Sequence, residues 1–119
     1  MRTAFYALAV AATFAVPAIA QATDADRNGS VEIFRGDYTT AERTLLDQRR
    51  LFPDHADLTL NLAAVYQHAG RVSEARALYR DVLRRPDEQV DMANERTFSS
   101  HQLATIALQR LERTQVTTR

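Results

Sequence analysis

Oxygen-bearing side chains recur at alternate positions in Asp24-Ala25-Asp26-Arg27-Asn28-Gly29-Ser30-Val31, the first half of a calcium-binding loop. Carboxylates and an amide at that spacing converge on a hard cation, the glycine makes the sharp turn, and the following apolar residue anchors the loop. The second half departs from this chemistry. Position twelve, where a bidentate carboxylate belongs, is Arg35, and an apolar leader stands where the incoming helix should be. Glu32 would supply a carboxylate only in altered geometry. Two readings remain, a calcium site on Asp24, Asp26, Asn28 and Glu32 or a solvated polar linker over residues 23–35, and the missing twelfth ligand favours the linker.

Other reactive constellations are weaker. His55, His68 and His101 carry no metal-ligand spacing, so no metal or other cofactor is expected. Ser99-Ser100-His101 places a hydroxyl beside an imidazole, but neighbours at a helix start point in different directions, and an N-cap explains the serines better. There is no phosphate loop, no His-Glu-x-x-His and no obvious carboxylate pair. The chain has no Cys, which excludes a disulfide framework, thiol catalysis, a Cys-based zinc site and a lipidated N-terminal cysteine. These absences point to a non-catalytic protein.

With 119 residues the chain has room for one small domain. Residues 1–22 read as a secretory signal peptide: Arg2 is the basic start, Ala4 to Val16 is apolar apart from Thr13, and Ala18-Ile19-Ala20 and Ala20-Gln21-Ala22 offer small-x-small cleavage sites. The apolar run is too short to span a bilayer comfortably, so no membrane association is expected after cleavage. The mature chain keeps 14 Arg against 15 acidic residues, a net charge of about −1, and so lacks the basic excess that nucleic acid would require.

Helical periodicity organises the chain beyond Arg35. Leu58, Leu62, Val65, Tyr66 and Ala69 recur on one face, Gly70 interrupts, and Ala75, Leu78, Tyr79, Val82 and Leu83 resume until Pro86. The spacing predicts helices over about 38–50, 55–69 and 72–85, with Thr39-x-x-Glu42 as a capping box and Asp54 as an N-cap. A period is visible too: Gly36 to Gly70, Ala41 to Ala75 and Leu45 to Tyr79 are each 34 residues, and Pro53 to Pro86 is 33. Only a short turn around Val31 to Phe34 precedes the first long helix. Residues 86–98 break the pattern as a loop or small hairpin. Ser99-x-x-Gln102 then caps a last helix, whose Leu103-Ala104-Thr105-Ile106 echoes Leu62-Ala63-Ala64-Val65 after a seven-residue insertion.

Leu62-Ala63-x-x-Tyr66, then Ala75-x-x-x-Tyr79, then Pro86 resembles the tetratricopeptide repeat, with Thr59 in place of the family's Trp and Ala63 in place of its Gly. The resemblance covers about Gly36 to Leu111. It implies an all-α fold, a stack of about one and a half repeats over residues 36–113 closed by a C-terminal helix, with 114–119 as a disordered tail. It also implies a concave face built by the first helix of each repeat. On that face would lie Asp57, Asn61, Ala64, Gln67 and His68, with Gln102, Thr105 and Gln109 from the last helix. Asn61 falls where the family often binds a peptide backbone, while the family's carboxylate-clamping lysines have no counterpart. The alternative for each of these residues is a solvated polar face.

The expected function is therefore a protein- or peptide-binding scaffold exported to a Gram-negative periplasm. Because about three repeats are normally needed to bury a core, open ends on Ala41, Leu45 and Leu46 suggest a second possibility, a homo-oligomer. A calcium-responsive envelope protein is the third.

Overall fold

The computed structural model describes residues 27–91 and 96–117. Among these residues five helices and one short ladder follow in order: α1 (Ser30–Phe34), α2 (Tyr38–Leu51), α3 (Ala56–His68), α4 (Val72–Arg84), β1 (Gln89–Asp91), β2 (Thr97–Ser99) and α5 (Ser100–Thr117). Among the described residues the architecture is a stack of helical hairpins, interrupted by the two-stranded ladder between α4 and α5. α2, α3 and α4 start and stop within a residue or so of the periodic pattern.

α3 is the centre. Its sequence is apolar on almost every side, and Ala56, Leu58, Thr59, Leu60, Leu62, Ala63, Val65 and Tyr66 are all buried. A helix of that kind needs cover all round. α2, α4 and α5 each pack on it, and α4 also packs on α5. Ala41, Ala63, Ala75 and Ala104 are wholly buried where these helices meet, so small side chains permit close approach while Leu45, Leu62, Val65 and Val82 fill the space between.

The repeat period reappears as a repeated piece of backbone. Gly36 donates to the Ile33 carbonyl (3.0 Å) and Asp37 to that of Glu32 (2.9 Å); 34 residues on, Gly70 donates to Gln67 (3.1 Å) and Arg71 to Tyr66 (2.9 Å). Both glycines have φ of 76°. This is one left-handed C-terminal motif used twice, so α1 ends where the first helix of a leading repeat would end.

The ends differ from the sequence expectation in four places. Ala41 and Leu45, expected to be exposed, are completely buried, with Gly29 of the leading segment set against Leu45 and Ile33 packed on the core; Leu46 stays open at 37%. The expected linker thus ends in a packed helix, α1. The Thr39–Glu42 capping box does not form: Asp37 caps α2 by accepting from the Thr40 amide (3.2 Å), and Glu42 is taken by Arg71 (2.8 Å). Finally, the expected disordered tail is helical as far as Thr117, where the hydroxyls of Thr114 and Thr117 donate to the carbonyls one turn back.

Arg71 fastens three helices at once. Its guanidinium meets Glu42 of α2 (2.8 Å) and Glu74 of α4 (2.6 Å), and lies 4.0 Å from the centre of the Tyr66 ring on α3. The two carboxylates drive its pKa further above the usual arginine value.

Gly29 is where α1 is held down. With φ of 70°, an added Cβ there would sit 3.0 Å from the Leu45 side chain, whereas at Gly36 it would meet nothing within 4 Å. Both substitutions incur the left-handed backbone cost of about 1–2 kcal/mol, but only one also displaces Leu45. Gly29→Ala should therefore lower the denaturation midpoint more than Gly36→Ala, measured by urea unfolding followed by circular dichroism.

Candidate functional site

The N-terminal end of α3 is held by a residue distant in sequence. His55 occupies the N-cap position without a side-chain bond, and the expected cap, Asp54, instead lies in solvent and pairs with Arg85 at 3.4 Å. The Ala56 amide donates to Glu88 Oε1 (2.7 Å), so a carboxylate from beyond α4 meets the positive end of the helix dipole. No local spacing announces a cap that comes from 32 residues away.

Asp87, next to it, does the same for α5. It accepts from the Ser99 hydroxyl (2.6 Å), the Ser100 hydroxyl (3.1 Å) and the His101 amide (3.1 Å). Ser99 in turn accepts from the Gln102 amide (3.2 Å), the cap that the spacing predicts. The His101 ring points elsewhere, its Nε2–H meeting the Arg85 carbonyl at 2.7 Å. Ser99, Ser100, His101 and Asp87 are therefore a capping cluster, with no serine hydroxyl delivered to the imidazole. Those donors, the Ser99 hydroxyl first, hold the Asp87 carboxyl below its ordinary value.

Between these caps runs the ladder, pairing Gln89 with Ser99, Val90 with Phe98 and Asp91 with Thr97. Val90 is buried while Gln89 and Asp91 are exposed. β1 forms one wall of a cleft of about 530 Å³. Arg27 and Asn28 form another wall, Gln48 and Phe52 close the α2 end, and His55, Asp57 and Leu58 form the α3 side. Phe52 is its exposed apolar group, 42% accessible and tilted against the His55 ring at 5.1 Å.

The eight groove residues separate into three groups. Asp57 lines this cleft, and Ala64 is exposed further along α3. Three are engaged within the chain: Asn61 Nδ2 donates to the Asn28 carbonyl (2.7 Å), Gln67 Oε1 accepts from the Tyr79 hydroxyl (3.1 Å), and the His68 ring stacks on Tyr38 at 3.7 Å. Asn61 thus holds a backbone carbonyl of its own chain, where the resemblance implies a bound peptide's. Burial of Tyr79 pushes its phenol up to about 12, so it stays protonated as the donor to Gln67. Gln102, Thr105 and Gln109 are exposed on α5, and none of them borders the cleft.

Of the calcium candidates, Asp24 and Asp26 lie outside the described residues. Asn28 Oδ1 accepts from the Ser30 amide (3.0 Å), and Glu32 has one buried carboxylate oxygen without a partner among the described residues. No group of three potential metal ligands occurs among those residues.

Phe52, His55 and the β1 residues were missed as site residues. Phe52 precedes the helix-stopping Pro53, and the apolar Val90 between polar Gln89 and Asp91 has the two-residue period of a strand; both signals are present but short.

Asp87 gives this end of the molecule a pH dependence. Its folded pKa is depressed from 3.8, so its contribution is complete above that value and is lost as pH falls through the lower folded value. Asp87→Asn should therefore melt below the wild type at pH 7, and the gap should close in melts taken progressively below about pH 4.

A family model described as Tetratricopeptide repeat matches residues 35–94. No curated protein and no solved structure matches the chain.

Proposed function

The chain belongs to the tetratricopeptide repeat family, whose members generally mediate protein–protein interaction, and from that premise we propose that it is an exported, non-catalytic scaffold binding a protein or peptide in a Gram-negative periplasm. The observation that carries this reading is the cleft at the N-terminal half of α3. Of about 530 Å³, it combines the exposed Phe52 ring with polar groups fixed on α3 and β1, a mixture suited to a peptide's side chains and backbone together. Export rests on the apolar leader and its two small-x-small sites within residues 1–22.

Self-assembly is the second reading, favoured by α5. Among the described residues α5 is the last helix of the stack, and it exposes Ile106 and Val116. A second copy could cover such a face through a two-fold, self-complementary contact.

The test places a photocrosslinking amino acid at Ala64, exposed on α3, and separately at Ala77, exposed on α4, in the full chain expressed in a Gram-negative host. Adducts with one distinct protein from position 64 and none from 77 are expected. Adducts containing only further copies of this chain would replace the scaffold with self-assembly. The same preparation checks export: the mature protein should appear in the periplasmic fraction with an N-terminus at Gln21 or Thr23.

A further inference from the structure

β1 is an open edge inside the cleft. The Ser100 amide donates to the Glu88 carbonyl at 2.8 Å, which sets the ladder register. In that register Val90 exchanges hydrogen bonds with Phe98, and the N–H and C=O of Gln89 and Asp91 point to the side away from β2. No other described strand pairs with β1. Gln89, Val90 and Asp91 all line the cleft, so the unpaired backbone groups and the cavity coincide. An edge of this kind is a template for one more strand.

Charge selects among the possible occupants. Asp57, Glu88 and Asp91 line the cleft against the single Arg27, with one Glu88 oxygen on the Ala56 amide and one Asp91 oxygen accepting from the Thr97 hydroxyl (2.9 Å), so the excess is acidic and Asp57 and Asp91 keep oxygens to offer. A second copy pairing β1 with β1 would bring a second set of Asp57, Glu88 and Asp91 to a cleft that already has an acidic excess. The chain's own residues 21–26, which immediately precede Arg27, read Gln-Ala-Thr-Asp-Ala-Asp and would add two more negative charges. Both homotypic occupants meet repulsion. A basic strand meets attraction from Asp57 and Asp91, and its apolar side chains find Phe52.

We propose that β1 accepts an extended cationic segment of another protein as a third strand, alternating basic and apolar side chains, with its backbone on Gln89 and Asp91 and its basic residues on Asp57 and Asp91. This rests on the reading of the chain as a peptide-binding scaffold. At about 3.3 Å per residue β1 is about 10 Å long, so the added strand engages a short motif and gains specificity from its alternate side chains.

The test uses protein purified after expression of the full chain and a seven-residue peptide alternating Arg and Val, titrated by calorimetry. Two controls replace Arg by Glu, or N-methylate alternate backbone amides in each of the two phases. The Arg peptide should bind; the Glu peptide should bind at least tenfold more weakly, as should the Arg peptide methylated in one phase. Gln89→Pro removes an outward amide while leaving the Val90–Phe98 pair, and should also weaken binding at least tenfold with the melting temperature little changed. If that variant unfolds, the methylated peptides still decide the matter. Equal binding of Arg and Glu peptides, or indifference to methylation in both phases, would overturn strand addition. So would a concentration-dependent dimer in sedimentation that Gln89→Pro dissolves, since the edge would then belong to a second copy. Absence of peptide binding together with a protein adduct at position 64 would sink this inference alone; absence of both would remove the scaffold reading with it.

Discussion

α3 must be covered, and that requirement shapes everything around it. A thirteen-residue helix with eight buried positions cannot stand against solvent on any broad face. In a longer stack the neighbouring repeats would supply the cover on both sides. Here the described chain supplies it with α2, backed by α1, and with α4 and α5. Ahead of α2 the described residues contribute the turn from Gly29 to Gly36, which sets Gly29 against Leu45 and packs Ile33 on the core.

Covering α3 leaves its N-terminal amides to be satisfied, and this is where the insertion becomes useful. Glu88 reaches the Ala56 amide, Asp87 gathers the first residues of α5, and the ladder between them fixes the distance from one helix start to the other. Two adjacent carboxylates thus terminate two helices. The hairpin is therefore a structural clasp first, and the cleft beside it results from where the clasp must sit. A wall built for stability exposes the outer edge of β1 because no other described strand pairs with it.

The long-period part of this fold was legible in the sequence because it rests on local rules. Gly36 and Gly70, Ala41 and Ala75, and Leu45 and Tyr79 repeat at 34 residues, and the structure gives the two glycines the same turn and both alanines complete burial. What the sequence hid depends on residues far apart in the chain. Ala41 and Leu45 look exposed if Gly29-Ser30-Val31 is read by composition, since a five-residue helix has too few turns to show a period. Asp54 looks like a cap because its type and place are right, while Glu88 wins through a fold-level approach that no window of sequence contains. The groove residues suffered the same way. Asn61, Gln67 and His68 share the expected exposed face, yet Asn28, Tyr79 and Tyr38 had already claimed them.

Those prior claims move the centre of recognition. An asparagine whose amide is held by the Asn28 carbonyl at 2.7 Å must break that bond before it can serve another backbone, and the cost falls on the contact that positions the leading segment. Ligand binding at Asn61 would therefore compete with the covering of the core by α1. Binding along β1 carries no such competition, because its outward amides and carbonyls are directed away from β2 and need no internal bond surrendered. In a fold with so little spare core, a surface that could bind without loosening the fold would have the energetic advantage. That surface lies at the clasp joining the starts of α3 and α5, at one end of the face where the repeat pattern alone would put it.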